Sequence, residues 1–535
     1  MGISGLLTIL SLLGTLGPEA PIADAAMRGD THGVRTLIEA GADVNAAQGD
    51  GMTGLHWAAR LGDPELATVL LDAGARTDVA TRIGAHTPLH VATAAGRAAL
   101  VNVLLRAGSE PDARTTTGAT ALQFAAASGD VPSIEALVFH GADVDAREPE
   151  WGQTPLMFAA AAGRAGAIES LIAGGADPSV TARVLDIVER NRSDAIEQRG
   201  GEPPIACSGC LGNYADLVGT HGGLTALLLA AREGHEDAVF ALVAGGAHID
   251  GESAADRTTP LLMAMINGHF DLGLRLLAHG ANPRLASDAG ATPLYAVLNM
   301  QWAPKARHPQ PTDYQQQQAT YIEVMTVLLE TGVDPNARLA RSLWFTTYNR
   351  DLLGVDRTGA TPFWRAAHAL DVEAMRLLLA YGADPTLPTI KAPTRRQRTE
   401  DHSGLPPVPD GGPAVSPIHA ASGVGYGQGF AGNSHRHVPD GWLLAMKFLV
   451  EELGADVNAR DHNGYSPAHH AAARGDNELI RYLVEKGADV TLVARSGQTT
   501  VDMANGPVQR IQPFPETIAL LEGLGAKNNH RCVSC

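Results

Sequence analysis

The sequence predicts an all-α solenoid: stacked helix–turn–helix units with short hairpin-like fingers between them and several long loop insertions. Three observations predict it. First, one phrase recurs as GADVNA from Gly41, GARTDV from Gly74, GSEPDA from Gly108, GADVDA from Gly141 and GADPSV from Gly175. It continues from Gly246, Gly280, Gly332, Gly382, Gly454 and Gly487, and in decayed form from Gly525. The steps from Gly41 to Gly175 are 33, 34, 33 and 34 residues, and longer steps later contain one such unit plus an insertion, which gives about twelve repeats. Second, each unit has a fixed interior with two apolar helical faces. Third, hydrophobic residues make up 45% of the chain and aromatics only 5%, so the core is built from small side chains that let helices approach closely.

Residues Gly51 to Asp78 illustrate the unit. Thr53 is placed to cap a first helix by accepting from an exposed backbone N–H. Leu55, Ala58 and Ala59 form one face at helical period. Gly62 stops that helix by taking the left-handed conformation. A second helix runs from about Glu65 to Asp72 with Leu66, Val69 and Leu70 inward, and Gly74 ends it. The stretch after it suits an extended finger. One such pair cannot bury its apolar face alone, whereas stacked pairs share a continuous core.

The pattern resembles the ankyrin repeat. Thr87-Pro88-Leu89-His90, Thr154-Pro155-Leu156, Thr259-Pro260-Leu261, Thr292-Pro293-Leu294 and Ser416-Pro417-Ile418-His419 carry the resemblance, together with the GADVNA phrases. It covers nearly the whole chain, from about Pro21 to about Ala526. Gly54, Ala121, Ala226 and Thr500 stand where the family has Pro, which predicts slightly less rigid repeats of the same fold. The resemblance implies a protein-binding scaffold without catalytic activity.

In chain order, residues 1–20 form either a signal peptide or an N-terminal capping helix. Seven apolar residues between Leu6 and Leu16 support the first reading. The leucines that Ser4, Thr8, Ser11 and Thr15 leave on one side support the second. Repeats 1–5 occupy 21–183. Residues 184–220 are an insertion with a C-x-x-C pair. Repeats 6–8 follow at 221–341, interrupted at 301–319 by a segment with Trp302, Tyr314 and four consecutive Gln. Residues 342–355 are an aromatic insertion with Trp344, Phe345 and Tyr348, and 356–390 is repeat 9. Residues 391–414 are rich in Pro, Gly and Arg (Arg395, Arg396, Arg398) and read as a solvated linker. Repeats 10–12 take 415–526, with an insertion at 424–440 holding Gly425, Gly427, Gly429, His435 and His437. Residues 527–535 are a tail with a second C-x-x-C. The aromatic insertions are expected to fold back onto their own repeats rather than to present binding anchors.

The strongest chemical signal is that C-x-x-C spacing, in Cys207–Cys210 and Cys532–Cys535, the only cysteines of the chain. Such pairs can chelate zinc or form a small redox-active disulfide. Along a regular stack the pairs stand on the order of 60–70 Å apart, so two separate local pairs are expected rather than one shared site. His56, His90, His419 and His469 hold the fourth position of the T-P-L-H phrase, where a ring ties one repeat to the next. Trp57, Phe124 and Phe158 share one helical position and read as core. No phosphate-binding glycine loop, kinase set, G-x-S-x-G elbow or H-E-x-x-H occurs.

A net charge of −18 disfavours a nucleic-acid partner, which needs a basic face, and no apolar run is long enough to span a membrane. The expected activity is therefore non-catalytic docking of a monomeric scaffold on a protein partner, one of basic character, through the concave side. In the family, the residue before the capping Thr or Ser projects from the finger. Met52, His86, Gln153, Leu224, Thr258, Tyr465 and Gln498 hold that position and are the candidate contacts. No cofactor is expected. The alternative is a metal- or redox-responsive sensor in which Cys207, Cys210, Cys532 and Cys535 bind zinc or change oxidation state. A cleaved leader places the chain in the periplasm or outside the cell, with oxidised pairs; a capping helix leaves it in the cytoplasm. The Arg-rich, Lys-poor composition points to a GC-rich bacterial genome.

Overall fold

The computed structural model describes residues 20–198, 219–304, 312–343, 353–393, 400–426, 435–506 and 512–531. They fall into two compact units, one formed by residues up to Arg183 together with Leu224–His248, the other by Val184–Gly223 and Ile249 onward.

In the first unit, short helices pair in succession: Pro21–Met27 with Thr31–Glu39, Gly54–Leu61 with Pro64–Asp72, and Pro88–Ala94 with Ala98–Arg106. Ala121–Ser128 with Val131–Phe139, Pro155–Ala161 with Ala165–Ala173, and Ala226–Glu233 with Glu236–Ala244 continue the series. First helices pack on first helices and second on second. The sequence dictates the starts. Thr53, Thr87, Thr120 and Thr154 sit in extended backbone as N-caps, and the Thr87 and Thr154 side chains accept from the N–H three residues on. Helices begin on schedule at Gly54, Ala121 and Ala226 although Pro is missing there. Gly62 ends its helix at φ 75°. The inward residues Leu55, Ala58, Ala59, Leu66 and Leu70 are buried, and the alanines leave room for the neighbouring helix.

Of the four histidines expected to tie repeats together, His56, His90 and His419 do so, whereas His469 bonds the cap of its own helix, Ser466. In His56, Nδ1 accepts from the Thr53 N–H and Oγ1–H, while Nε2 donates to the His86 carbonyl of the next repeat at 2.9 Å. His90 repeats this between Thr87 and Ala113. Gln123 takes the same place with an amide, accepting from Thr120 N–H and donating to the Ala146 and Gln153 carbonyls.

In the second unit, the ends of the first insertion form an antiparallel ladder, Val184–Asp186 against Thr220–Gly222, with the helix Ile187–Gln198 following its first strand. Three-residue strands carry no periodic signal, so the sequence predicts only a loop insertion there. The pairs Pro260–Asn267 with Phe270–Ala278, Pro293–Gln301 with Tyr321–Glu330, and Pro362–His368 with Val372–Ala380 follow. Pro417–Ser422 then pairs with Gly441–Lys447, whose last turns widen over Phe448–Glu452. Pro467–Ala473 with Asn477–Glu485 and Thr500–Ala504 with Pro515–Gly523 complete the series. Trp302 and Tyr314 fold back, but onto the neighbouring repeats as well as their own. The Trp302 indole and the Tyr321 hydroxyl both donate to the buried Asp371 carboxylate at 2.8 Å, and Tyr314 packs on Phe270. The insertion at 424–440 also turns inward. His435 is buried, its Nε2 donating to the His368 carbonyl, and Tyr426 and Trp442 close around it. Residues 1–19, Trp344, Phe345, Tyr348, Arg395, Arg396, Arg398, Gly427 and Gly429 lie outside the described residues.

Candidate binding surface

Among the described residues, most fingers between helix pairs are joined by a backbone bond to the finger before. Arg82 N–H donates to Asp50 O, Thr116 to Gly84 O, and Arg183 to Trp151 O. In the second unit Asp288 donates to Asp256 O, Ala340 to Ala289 O, Ile390 to Thr358 O and Arg495 to Asn463 O. The backbones come so close that a Cβ on Gly51, at φ 91°, would lie 2.6 Å from the Arg82 nitrogen.

Arginines reinforce this edge. Arg114 donates to the Gly118 carbonyl of its own finger and to the Arg147 carbonyl of the next, both at 2.9 Å. Arg338 joins Gly359 and Pro388 in the same way, and Arg460 joins Gly464 and Val493. The signal was available in the sequence: Ala-Arg follows the recurring Asp or Asn at Asp112, Asp145, Asn336 and Asn458. A second ladder uses those same Asp and Asn positions. Asn45, Asn336 and Asn458 each accept the N–H of residues 76, 384 and 489 and donate to the carbonyls of Gly74, Gly382 and Gly487.

The seven candidate contacts do not project. Met52, Thr258, Tyr465 and Gln498 are buried, and His86, Gln153 and Leu224 are half-buried. The reason is the inter-repeat bonding. The His86 and Gln153 carbonyls accept from the preceding repeat, which draws this position into the seam. Thr258 donates to its own Asp256, and the Tyr465 hydroxyl donates to Gln498 at 2.5 Å. The exposed side chains stand two or three residues earlier, at the finger turns. Ile83 is 82% exposed and Trp151 38%.

Trp57, Phe124 and Phe158 are half-buried rather than core, and so is Val91 between them. All four follow their capping Thr by four residues on successive first helices, so they line one face of that stack. Arg60 lies over Trp57, whose indole donates to Gln48, and the His86 ring packs against Phe124. Their aromatic identity suggested core, but at this position the ring is only partly covered.

Burial sets the electrostatics. It pushes His90 and His419 down to about 4 and His469 to about 3, and it lowers His56. His470 lies 3.5 Å from Asp461, both buried; although burial opposes it, that contact and the other nearby imidazoles hold the Asp461 carboxyl below its ordinary range. No group of three metal-ligating side chains occurs among the described residues, and Cys207, Cys210, Cys532 and Cys535 lie outside them. No helix among the described residues is long and apolar enough to cross a membrane.

Known proteins resemble this chain in segments. A family model of ankyrin repeats in three copies matches residues 22–115, 89–182 and 210–287, and one of many copies matches 449–504. Together the matches cover more than half of the sequence. Protein phosphatase 1 regulatory subunit 12A of Mus musculus is 37% identical over 71 residues, 13% of this chain and 7% of that protein. An ankyrin repeat-containing protein of Schizosaccharomyces pombe is 41% identical over 67 residues, covering 11% and 32%. Protein phosphatase 1 regulatory subunit 27 of Homo sapiens is 34% identical over 90 residues, covering 17% and 53%. The chain thus spans between 7% and about half of the length of these relatives. Family matches, stacked helix pairs and the cap-to-neighbour bonds agree, and the chain belongs to the ankyrin repeat family.

Proposed function

We propose that this chain is a non-catalytic scaffold that docks on a protein partner through its finger turns and the concave face of its first helices. One observation carries the reading: the half-buried row Trp57, Val91, Phe124 and Phe158 along successive first helices of the first unit. The exposed Ile83 and Trp151 stand on the fingers of the same repeats. Partly covered aromatic side chains on a locked backbone make effective anchors, because little conformational freedom remains to be lost on binding. The net charge of −18 favours a partner with basic character. Regulatory subunits among the relatives support a partner that is itself a protein.

The test is a comparison of surfaces. Partners captured by cross-linking are titrated against Ile83→Asp, Trp151→Ala and Phe158→Ser, and against Phe139→Asp on a second helix. Phe139 is 87% exposed and away from the fingers. A loss of tenfold or more confined to the first three supports the reading. Equal losses in all four, or a loss only at Phe139, removes it.

A further inference from the structure

The finger between Thr386 and Ser416 is far longer than the others, and its far part lies across the fingers of later repeats. Its root is an ordinary finger. Thr389 N–H donates to Val415 O, Ala414 to Thr389 O, Lys391 to Gly412 O and Gly411 to Lys391 O. The root also joins its neighbours as other fingers do, Ile390 N–H to Thr358 O on one side and His462 N–H to Ala414 O on the other. Beyond it, residues 400–408 run past the two repeats that follow.

Arg495 grips that stretch. Its guanidinium pairs with the Asp401 carboxylate and donates to the Leu405 carbonyl at 3.3 Å and the Pro406 carbonyl at 2.6 Å. His402 N–H donates to the Arg495 carbonyl at 3.0 Å, a strand-like pairing of arm with finger. Arg531 donates to the His402 ring at 2.6 Å. Arg495 keeps its place in the ladder meanwhile, donating from Nε to the His462 carbonyl. The grip is thus built from two finger arginines acting on a carboxylate, two carbonyls, an imidazole and one backbone amide.

Apolar burial along it is partial, Leu405 and Val408 being half-buried. None of residues 400–410 is buried. Pro406, Pro407 and Pro409 have no N–H to offer, so this stretch presents carbonyls, the groups a guanidinium takes. An extended segment held chiefly by polar contacts, with no residue of its own fully buried, has the character of a bound peptide rather than of core.

We propose that residues 400–408 are an internal pseudo-ligand, occupying a peptide-binding edge on the last fingers that Arg495 and Arg531 define. The external occupant of that edge is an extended peptide with an acidic residue followed four and five residues later by Leu-Pro or a similar X-Pro pair. It binds only where the arm has lifted away. The inference rests on the reading of the fingers as docking elements and assigns one such edge its ligand chemistry and its inhibitor. Tethering sets the competition: a segment joined to its site acts at an effective concentration on the order of millimolar, so a free peptide of equal intrinsic affinity loses to it.

The probe is a fluorescein-labelled peptide of residues Glu400 to Asp410, titrated by anisotropy against the full-length chain. Three proteins are compared: the natural chain, a chain with residues 400–408 replaced by Gly and Ser at equal length, and that chain with Arg495→Gln. Binding to the Gly-Ser chain at least tenfold tighter than to the natural chain, and lost with Arg495→Gln, is the expected result. No binding to the Gly-Ser chain overturns the proposal, as does equal binding to all three. If thermal unfolding shows that the Gly-Ser chain is not folded, Asp401→Asn in the natural chain decides. It weakens the arm's grip and must raise peptide affinity severalfold, and an unchanged affinity overturns the proposal. The peptide stands in for any natural partner, so a negative result here leaves the docking row of the first unit untouched, and a failure there leaves this edge untouched.

Discussion

Acid should unfold the second unit well before its carboxylates titrate. His419 and His469 are fully buried and neutral, at about 4 and about 3, and burial beside other cationic groups lowers His368 and His435 well below the ordinary value. An unfolded histidine titrates near 6.5. Between about pH 6 and 4, then, the unfolded chain binds a proton at each position that the folded chain does not. Stability rises with pH where the unfolded state holds more protons, so it is present above 6.5 and is lost as pH falls through this window. Each such histidine costs about 1.4 kcal/mol per pH unit. His419 and His469 together give about 3 kcal/mol per unit, and His368 and His435, lowered in the same direction, steepen the loss further. Asp461, held low, adds its own loss only below the unfolded carboxylate range, outside the window.

The chain supplies its own control. Gln123 performs the histidine's two bonding tasks with a group that does not titrate. His419→Gln keeps an acceptor for the Ser416 cap and a donor for the Ala459 carbonyl, the bonds the imidazole makes at 2.7 and 2.9 Å. Urea unfolding followed by far-ultraviolet circular dichroism, at intervals from about pH 7 to about pH 5, measures the slope. The natural chain should lose stability by several kcal/mol per pH unit, and His419→Gln should lose about 1.4 kcal/mol per unit less while matching it near neutrality. A pH-independent midpoint, or an identical slope in the variant, would refute the argument that these rings are held neutral by burial.

Three further outcomes follow from the inter-repeat bonds. Asn458→Asp keeps the acceptor for Asp489 N–H but loses the donor to the Gly487 carbonyl, so it should cost about 1 kcal/mol in urea unfolding. Arg460→Met removes both finger bonds, to Gly464 and Val493, and should cost about 1–3 kcal/mol. It should also speed amide exchange at Gly464 and Arg495 without changing exchange in Pro467–Ala473. Asp371→Ala strips the Ala374 N–H of its cap and leaves the Trp302 indole and Tyr321 hydroxyl without their shared acceptor. A loss on the order of 3–5 kcal/mol is expected, with a shift in tryptophan emission as the indole reaches water.

What the sequence made legible was whatever repeats. The Thr-Pro-Leu-His phrase is a capping threonine, a proline that needs no N–H, a buried leucine and a ring that reaches the next repeat, and each task is visible in its residue type. The Ala-Arg pair after Asp112, Asp145, Asn336 and Asn458 was equally periodic, yet its task was not visible. A guanidinium's partners here are backbone carbonyls of another repeat, and carbonyls leave no trace in a sequence. The partial or full burial of the seven residues before the caps was hidden in part for the same reason. The bonds that draw His86 and Gln153 into the seam end on their carbonyls, which every residue has. Trp57, Phe124 and Phe158 misled in the opposite direction, since aromatic identity reports affinity for burial but not how much of the ring is covered. The insertions were legible as interruptions only. That residues 400–408 return to Arg495 depends on a pairing across ninety residues between a guanidinium, one carboxylate and two carbonyls. Local periodicity therefore specifies the stack, and unrepeated contacts between distant segments specify what lies across its edge.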